Sequence, residues 1–595
     1  MSTLQTLLCC FKKKKPSQQT RGPEEDAPGD RVQRVVQEVL RDLESNPDDE
    51  QQQKKIQQSL EAEPNAIFGV FREEASRQPK PLSKPALAGP KLSEDEDWVN
   101  CIGEQRCTPL KKVKPQSLQD MVDIVNEARR LKQRVRAVGS GHAFSDVART
   151  DGAVLVNPIL LNDVRPVDAK VFREGAVQEG GNTLLHVQAG ITVKNLKVEL
   201  DNRGLALINM GGYDGQTISG TLSTGTHGSG IAFGPLASFA RAIILVSESG
   251  TVYQIEASQC ISDPAKFPAL LDAVPITLIQ SDAWYRTVHT SMGCLGLIHS
   301  YILEVTPAYS IREQRSTTTW ADIKPALSPG QWSPHPPAIV SEADHFELIL
   351  NPYTRWFRNA CVTVSRTRLP GAHHAQVGRR QDWLGNLLQQ VAVERAGDLV
   401  ALLAKFPFLS PLAIDQALAT VAGHDGDGDG RPDVYVDKSF NVFTLGPAND
   451  LAAFAVELHC AAHRCVPTLD ALLDVFDQLA DRQGWYMAGP LGVRFVKASE
   501  GYLAPQAGRL TCTIELAMLV GLETGRELAR RVKERVCTRD EESVRVHWGL
   551  DLDFVSGEDV RAWYPDFEKW VEVYRGLNTT GMFNNRFTDR LGISM

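Results

Sequence analysis

Apolar residues recur at helix and strand spacings from about residue 98 onward, separated by short polar turns. After Ser117, a residue that caps helices well, they return every three or four positions, which predicts a helix. These positions are Leu118, Met121, Val122, Val125 and Ala128. Residues 134–138 and 184–188 are typical of short strands. Thr192 is expected to cap a second helix, and Gly204 to end that unit. Helices and strands in alternation, without an internal repeat, predict an α+β fold.

Residues 1–97 have a different composition from the rest of the chain. They are rich in Gln, Glu, Lys and Pro and contain few aromatic residues. Residues 31–43 have helical apolar spacing, and residues 78–90 form a proline-rich linker. A segment this polar buries too little apolar surface to form its own core. We therefore expect an N-terminal extension that is partly disordered and contains short helices.

The longest apolar run extends from Leu399 to Ile414 and is interrupted by Lys405, Pro407 and Pro411. It is shorter than the roughly 20 residues that a membrane-spanning helix needs. We expect a helix of the protein core here. The alternatives are the wall of an apolar pocket or a segment that lies on a membrane.

Composition limits the classes of function. The chain has 595 residues, too many for one hydrophobic core, so two or more domains are expected. The net charge of −9 argues against nucleic-acid binding, which needs a basic surface. The 11 cysteines are scattered and form no Cys-x-x-Cys pair, so a reducing compartment is expected, and with it a cytoplasmic location.

The first 15 residues do not have the order of a signal peptide. The apolar run 4–11 precedes the lysines 12–15, whereas a signal peptide begins with its basic residues. Cys9 and Cys10 beside four lysines are compatible with an acylated segment that makes peripheral membrane contact. The alternative is a solvated tail.

Two glycine-rich segments carry the strongest chemical signal. The first is residues 138–145 (Val-Gly-Ser-Gly-His-Ala-Phe-Ser), and the second is residues 211–230. Dense glycine permits positive φ and exposes backbone N–H groups, which bind anions such as phosphate. Neither segment is a Walker loop or a Rossmann fingerprint, because the required spacings are absent.

These motifs resemble the flavoprotein oxidoreductases of the vanillyl-alcohol oxidase fold, and within it the aldonolactone and alditol oxidases. Residues 139–145 match the family's Gly-x-Gly-His-Ser-x-Ser signature except that Ala143 replaces the first serine. Residues 216–230 match its Gln-Thr-Ile-x-Gly-x-x-x-Thr-Gly-Thr-His-Gly-x-Gly string. Residues 291–298, 546–549 and 581–587 are similar to three further family elements.

The resemblance implies a domain organisation. Residues 98–309 would form a PCMH-type FAD-binding domain with two subdomains. Residues 310–546 would form an α+β substrate domain with an antiparallel sheet. Residues 547–595 would complete the flavin site.

The resemblance also implies FAD as cofactor, with its pyrophosphate on the glycine-rich loops. The family's histidine at the position of His142 is often bonded to the 8α-methyl of the flavin, so a covalent link is expected. The alternative is that His142 only packs or hydrogen-bonds near the ring. His227 is expected to shape the phosphate loop. The implied cofactor-binding residues are Gly139, Ser140, Gly141, His142, Ser145, Gly211, Gly215, Thr217, Gly220, Thr224, Gly225, His227, Gly228, Ile298 and Asn585.

The substrate site departs from the family pattern. Arg494 is the expected catalytic anchor and His547 a weaker candidate, but the family's Glu, Lys and Ser positions hold Gly492, Leu550 and Gly212. A site that loses its hydroxyl-binding groups loses discrimination steeply. Arg494 can still bind a substrate oxygen or stabilise negative charge. Its other expected role is a structural salt bridge.

A loop of alternating Asp and Gly has the spacing of a calcium site. Asp425, Asp427, Asp429 and Asp433 occupy loop positions 1, 3, 5 and 9, and glycine stands at position 6. Position 12 is valine instead of the bidentate glutamate. A structural Ca²⁺ is one interpretation, and a solvated loop without metal is the other.

The sequence therefore predicts an FAD-dependent enzyme that oxidises a C–OH group of an aldonolactone, an alditol or a related alcohol. Dioxygen is the expected acceptor, because a glycine at position 211 resembles the oxidases of the family. One alternative is the same chemistry on a more apolar alcohol, such as a sterol, a terpenoid or a lipid-linked sugar. The other is a binding or scaffold protein without catalysis.

Overall fold

The computed structural model describes residues 97–176, 181–259, 261–353, 360–371, 376–378, 396–422, 434–445, 453–520, 522, 524–538 and 542–594. Nearly all of the N-terminal extension, including Cys9 and Cys10, lies outside the described residues. The four aspartates of the proposed calcium loop, Asp425, Asp427, Asp429 and Asp433, also lie outside them. Within the described ranges, no helix combines the length and the apolar character needed to cross a bilayer.

The strands of the described residues fall into two large and two small sheets. They are β1 (Trp98–Val99), β2 (Arg106–Cys107), β3 (Lys111–Val113), β4 (Val135–Ala137), β5 (Val154–Val156), β6 (Val164–Pro166), β7 (Thr183–Gln188), β8 (Leu205–Ala206), β9 (Ala240–Val246), β10 (Val252–Glu256), β11 (Leu270–Leu271), β12 (Val274–Gln280), β13 (Leu297–Pro307), β14 (Tyr309–Thr319), β15 (His345–Leu350), β16 (Ala360–Pro370), β17 (Tyr435–Lys438), β18 (Ala453–Ala461), β19 (Leu491–Val496), β20 (Thr511–Leu519) and β21 (Arg545–Val546).

The α-helices lie between these strands and after the last of them. They are α1 (Leu118–Leu131), α2 (Val193–Asp201), α3 (Ile218–Ser223), α4 (Asp282–Val288), α5 (Trp320–Ile323), α6 (Ala338–Ser341), α7 (Ala396–Lys405), α8 (Ser410–Val421), α9 (Ser439–Phe443), α10 (Cys465–Gln483), α11 (Gly525–Val536), α12 (Gly557–Trp563), α13 (Phe567–Leu577) and α14 (Arg586–Arg590).

The first part of the chain contains a small parallel sheet and a large mixed one. In the small sheet β5 lies between β3 and β4, and α1 makes the crossover connection. The α1 helix begins where the sequence predicts it, because Ser117 and Asp120 form a capping box. The large sheet has the order β11-β12-β10-β9-β13-β7-β6, with β8 beside β13. Only the β10–β12 pair of this sheet is parallel.

The second part of the chain is built on an antiparallel sheet of eight strands. Its order is β17-β14-β16-β15-β19-β20-β18-β21. Ala308 alone separates β13 of the first large sheet from β14 of the second. Helices accompany both sheets, so the predicted α+β class with an antiparallel second sheet is confirmed.

Arg136 ties the chain's C-terminal segment to the first part. Its side chain is 1% exposed. The guanidinium donates hydrogen bonds to the backbone carbonyls of Gly293 (3.1 Å), Phe583 (2.9 Å), Met292 (2.6 Å) and Val147. Burial lowers the pKa of Arg136 to about 10, so the group still carries its charge near neutral pH. The arginine therefore holds two loops that reach the functional cleft described below.

The free energy of unfolding of an Arg136→Met variant is expected to be lower than that of the wild-type protein by about 3 to 5 kcal/mol. The change leaves four buried carbonyls without this donor, and an unsatisfied buried polar group costs about 1 to 3 kcal/mol. Urea denaturation followed by tryptophan fluorescence measures the loss. The exposed Arg134 provides the control, since Arg134→Met should change stability by less than about 0.5 kcal/mol. Equal effects of the two substitutions would contradict the assigned role.

Candidate functional site

Two adjoining cavities bring the glycine-rich segments together with the second sheet. The first, the glycine cleft, has a volume of about 140 Å³ and is lined by residues from 139–142, 216–226 and 291–298. The second, the charged cavity, has a volume of about 410 Å³ and lies between 211–213 and strands of the second sheet. Five residues line both cavities. They are His142, Gln216, Thr226, His547 and Leu550. The cavities therefore share a wall, and a ligand in either cavity would contact these residues.

The two glycine-rich loops fit against each other without room for added side chains. A Cβ on Gly139 would lie 2.1 Å from Oγ1 of Thr217. The Ser140 hydroxyl donates a hydrogen bond to the Gly215 carbonyl (2.7 Å), and Gly141 has a φ of +66°. Oγ1 of Thr217 is buried and has no hydrogen-bond partner among the described residues. A cradle of bare backbone with an unpaired hydroxyl fits a polar, phosphate-bearing ligand.

His142 has a fixed position at the wall shared by the two cavities. Its ring stacks on Tyr213, with 3.9 Å between centroids and 9° between planes. Sγ of Cys101 lies 3.2 Å from Nδ1 of His142. Burial lowers the pKa of His142 to about 4, so the imidazole is neutral near neutral pH. A neutral imidazole keeps a lone pair on one ring nitrogen, which a nucleophile requires.

Most of the residues expected at the cofactor line one of the two cavities. Gly139, Ser140, Gly141, His142, Thr217, Gly220, Thr224 and Ile298 line the glycine cleft. Gly211, His227 and Gly228 line the charged cavity, and His227 is not among the residues that line the glycine cleft.

Four expected cofactor residues line neither cavity, and each has another contact. The Ser145 hydroxyl donates to the Trp548 carbonyl (2.7 Å). Asn585 caps α14, and its amide donates to the carbonyls of Val147 (3.0 Å) and Arg149 (3.1 Å). The Gly225 backbone N–H donates to the Leu222 carbonyl (3.4 Å), and this glycine has a φ of +83°. The Gly215 carbonyl accepts the bond from Ser140 described above. These four residues support the loops from outside the cavities.

Arg494 lines the charged cavity and contacts three carboxylates. Its Nη1 lies 2.8 Å from Oε2 of Glu515 and 3.7 Å from Oε1 of Glu457, and its Nε lies 3.6 Å from Oε1 of Glu347. Burial by itself lowers the pKa of Arg494, but the three carboxylates raise it above its ordinary value. The expected structural salt bridge is thus present. The side chain is nevertheless 20% exposed, so a ligand can reach it.

Arg494 belongs to a row of ion pairs that crosses six strands on one face of the sheet, here called the charge ladder. The other ion pairs of the ladder are Arg366–Glu347 (2.8 Å), Arg366–Glu313 (2.7 Å) and Arg315–Glu313 (2.7 Å). The members, in sheet order, are Arg315 and Glu313 on β14, Arg366 on β16, Glu347 on β15, Arg494 on β19, Glu515 on β20 and Glu457 on β18. Three guanidiniums face four carboxylates, so the ladder has one excess negative charge.

His227 supplies the balancing positive charge. Its Nε2 lies 3.1 Å from Oε2 of Glu457, and its Nδ1 donates to the Gly228 carbonyl (2.8 Å). Burial lowers the pKa of His227, but the charge of Glu457 and these hydrogen bonds outweigh burial and raise the pKa above 6.5. The neighbouring His459 lies 3.4 Å from the same carboxylate, and burial lowers its pKa to about 4. One imidazolium and one neutral imidazole therefore flank Glu457.

The stability that His227 contributes is expected to decline as the pH rises. Its pKa is higher in the folded than in the unfolded protein, so its contribution is complete below the unfolded value of 6.5. The contribution disappears as the pH rises through the folded pKa. The difference in Tm between the protein and a His227→Gln variant should therefore narrow as the pH is raised above about 6.5. A constant difference over that range would contradict a charged His227.

His547 also lines both cavities but carries no charge. Burial lowers its pKa to about 3. Its Nδ1 accepts a hydrogen bond from the Gly549 backbone N–H (3.0 Å). The proton of the neutral ring is therefore on Nε2, which makes this nitrogen a donor instead of a base.

Apolar side chains also line the charged cavity. They include Leu399, Leu403, Ile414 and Phe443 from helices α7, α8 and α9, and Phe454 and Leu519 from strands β18 and β20. The run from Leu399 to Ile414 is not one core helix as expected. It forms α7, a short 3₁₀ turn at Pro407–Leu409 and the start of α8. Leu399, Leu403 and Ile414 are buried and line the cavity, so the run belongs both to the core and to the pocket.

Sequence reasoning missed most of the charged groups in this cavity. Glu347, Arg366, Glu457 and Glu515 were not singled out. One signal was available, because Glu457 and His459 stand in the apolar strand Ala453–Ala461, where charged residues are rare unless paired.

Two family models, several known proteins and several solved structures are similar to this chain. The family model of an FAD binding domain matches residues 109–256, and that of D-arabinono-1,4-lactone oxidase matches residues 302–591. An L-gulono-1,4-lactone dehydrogenase of Mycobacterium tuberculosis is 26% identical, over 83% of this chain and 98% of that protein. The L-gulonolactone oxidase of Bos taurus is 28% identical, over 83% of this chain and 97% of that protein. Among solved structures, a cholesterol oxidase from B. sterolicum has the same fold, with a TM-score of 0.63 at 15% identity over 86% of this chain and 99% of that one.

Proposed function

Because the chain belongs to the PCMH-type FAD-binding oxidoreductases related to aldonolactone oxidases, we propose that it oxidises a C–OH group of an aldonolactone, an alditol or a related alcohol, with dioxygen as acceptor. The observation that carries this proposal is the position of Arg494. It lies in a cavity that shares a wall with the glycine cleft, so an alcohol held by its guanidinium lies beside a ligand of the cleft. FAD bound there would accept the hydride of the C–H bond, while the hydroxyl proton is released to solvent and the C–OH group becomes C=O.

The residues of the glycine cleft fit FAD. The bare backbone at Gly139 and Gly141 and the unpaired hydroxyl of Thr217 suit a pyrophosphate. His142 and His547 line both cavities, where the isoalloxazine would have to contact the substrate. In this arrangement the protein positions the reactants and excludes water.

Arg494 binds and orients the substrate oxygen. Glu347 and Glu457 form ion pairs with the guanidinium and hold its orientation. Arg494 therefore loses little conformational freedom when a ligand binds. The Nε2–H of His547 is a second donor at the shared wall. Two preorganised donors stabilise negative charge that develops on the oxygen or on the reduced cofactor.

Dioxygen as acceptor is supported by the space at Gly211. An added Cβ there would lie 3.3 Å from the His227 carbonyl oxygen and 3.5 Å from Cγ2 of Thr226. A larger side chain would narrow this point of the charged cavity. At the next position a Cβ would lie 2.6 Å from Cγ of Leu445, so Gly212 has no room for the serine of alditol oxidases unless Leu445 moves.

A more apolar alcohol is the second candidate, and the apolar lining of the charged cavity favours it. Leu399, Ile414 and Phe443 line the same cavity as Arg494, and Leu550, which lines both cavities, stands where the family pattern has a lysine. A substrate with an apolar body and one oxygenated end would contact both the apolar lining and the charge ladder. An apolar alcohol would undergo the same oxidation and would differ only in the part of the substrate that does not react.

Flavin bleaching distinguishes the candidates. The purified protein is mixed without oxygen with L-gulono-1,4-lactone, with xylitol and with cyclohexanol, and the flavin absorbance is followed. Bleaching by the first two supports the lactone or polyol, and bleaching by cyclohexanol alone supports the apolar alcohol. Peroxide formed when air is admitted supports dioxygen. A flavin that no alcohol bleaches would refute the proposal.

His142 is proposed as the covalent attachment point of the flavin. In acid precipitation of the wild-type protein, the yellow colour is expected to stay with the pellet. For His142→Ala it should move to the supernatant, because the nucleophilic nitrogen is gone. The exposed His335 provides the control, since His335→Ala should keep the colour in the pellet. Release of the wild-type flavin by acid would exclude the link.

A further inference from the structure

The space above Gly492 is filled by a carboxylate from the neighbouring strand. Gly492 on β19 and Glu515 on β20 are direct cross-strand partners, so their side-chain positions lie on the same face of the sheet. A Cβ added at Gly492 would lie 3.7 Å from both Cβ and Oε2 of Glu515, and 3.9 Å from Nη2 of Arg494. The side chains of Glu515 and Arg494 thus lie within van der Waals distance of the position that a Cβ at residue 492 would occupy.

Glu515 is the carboxylate of the charged cavity that remains most available to a ligand. The side chain of Glu457 is 5% exposed and bound to His227, and that of Glu347 is 17% exposed and bound to Arg366. The Glu515 side chain is 31% exposed. Within the described ranges, its ion pair is with Arg494 alone. Its second oxygen and remaining lone pairs can therefore accept hydrogen bonds from a bound molecule.

The Glu515–Arg494 pair requires a particular arrangement of groups on its ligand. A guanidinium only donates hydrogen bonds, and an ionised carboxylate only accepts them. The nearest charged atoms of the two side chains are 2.8 Å apart. A ligand that satisfies both must present an oxygen acceptor to Arg494 and a hydroxyl donor to Glu515 at short separation. Two oxygens on adjacent carbons, at least one of them a hydroxyl, meet this requirement.

We propose that Glu515 is the specificity-determining carboxylate of this enzyme and that its substrates carry a hydroxyl and a second oxygen on adjacent carbons. Glu515 accepts a hydrogen bond from the hydroxyl, while Arg494 binds the neighbouring oxygen. The assignment rests on the proposed alcohol oxidation. It explains how the site binds hydroxylated substrates although position 492 is glycine, because the carboxylate comes from β20 instead of β19.

A matched pair of alcohols tests the assignment. Cyclohexanol and trans-1,2-cyclohexanediol differ only by the second hydroxyl. The rate of flavin bleaching at increasing concentration gives kcat/KM for each, with the wild-type protein and with Glu515→Gln. The variant should lose about 10-fold in kcat/KM with the diol, since the amide oxygen of Gln still accepts a hydrogen bond but no longer carries a charge. Cyclohexanol, which lacks the second oxygen, should react slowly with both proteins, and its kcat/KM should change much less between them.

A variant that moves the carboxylate from β20 to β19 distinguishes a role of Glu515 in substrate specificity from a purely structural role. The double variant G492E/E515A places the carboxylate on β19, beside the same Arg494, and should recover the preference for the diol that E515A alone loses. Flavin absorbance and Tm are measured for every variant, so that loss of cofactor or of folding is recognised.

Three results would overturn the assignment. One is an equal loss of kcat/KM with both alcohols in Glu515→Gln, which indicates a general structural effect. Another is an unchanged preference for the diol in that variant. If the wild-type flavin is bleached by none of the alcohols, the proposed function fails, and the assignment fails with it.

Discussion

A Gly139→Val variant is expected to purify without flavin. The first atom of the new side chain would lie 2.1 Å from Oγ1 and 3.1 Å from Cβ of Thr217. No rotation of Thr217 removes both contacts, so the two glycine-rich loops must separate. Overpacking of this kind costs about 3 kcal/mol or more, which corresponds to a loss of FAD affinity of about 100-fold or greater. The absorbance ratio of flavin to protein measures the effect.

A second glycine provides the control for Gly139. Gly330 has no heavy atom within 4 Å of an added Cβ and lies in a short 3₁₀ turn far along the chain from the glycine loops. Gly330→Val should keep the full flavin content. If Gly139→Val also remained yellow, the cofactor would not depend on the contact between the loops, and the glycine cleft would not be its binding site.

The sequence predicted those parts of the molecule that depend on short-range patterns. The α1 helix begins after Ser117 and the α2 helix after Thr192, as expected, because capping and apolar spacing act within a few residues. The glycine loops were found for the same reason, since their function resides in contiguous motifs. The fold class followed from these elements together with the resemblance.

The charged cavity could not be predicted in this way. Arg494 is a single residue of a short strand, and its partners come from distant segments. Glu515 lies 21 positions after it. Glu347 and Glu457 reach it only through the order and register of the second sheet. In the sequence, glycine at position 492 indicates that the family's hydroxyl-binding glutamate is missing. In the structure, the carboxylate of Glu515 on β20 lies beside Gly492.

For Asn585 the motif was identified from the sequence, and the structure adds contacts that the motif did not indicate. The C-terminal motif was expected at the flavin. In the structure Asn585 is 1% exposed, caps α14 and bonds to the loop that follows His142. A sequence motif does not distinguish a residue that contacts a ligand from one that supports such a residue. Only the three-dimensional contacts do so.

An Arg494→Met variant is expected to retain its flavin and to lose about 10²- to 10³-fold in kcat/KM, the loss seen when one preorganised donor is removed from a developing negative charge. Burial, taken alone, would favour loss of the guanidinium charge, but the surrounding carboxylates keep its pKa above the ordinary value. The charge is therefore present over the whole working pH range. The loss should appear in both kcat and kcat/KM if Arg494 acts in the transition state.

Arg494→Lys distinguishes charge from geometry. Lysine keeps the positive charge beside Glu347 and Glu515 but lacks the planar fork that contacts three carboxylates at once. Its rate should lie between those of the methionine variant and the wild-type protein. A lysine variant as slow as the methionine variant, with normal flavin content and Tm, would show that orientation by the fork matters more than charge. If the methionine variant bleached as fast as wild type, Arg494 would be only a member of the charge ladder, and the proposed substrate anchor would have to be sought at His547.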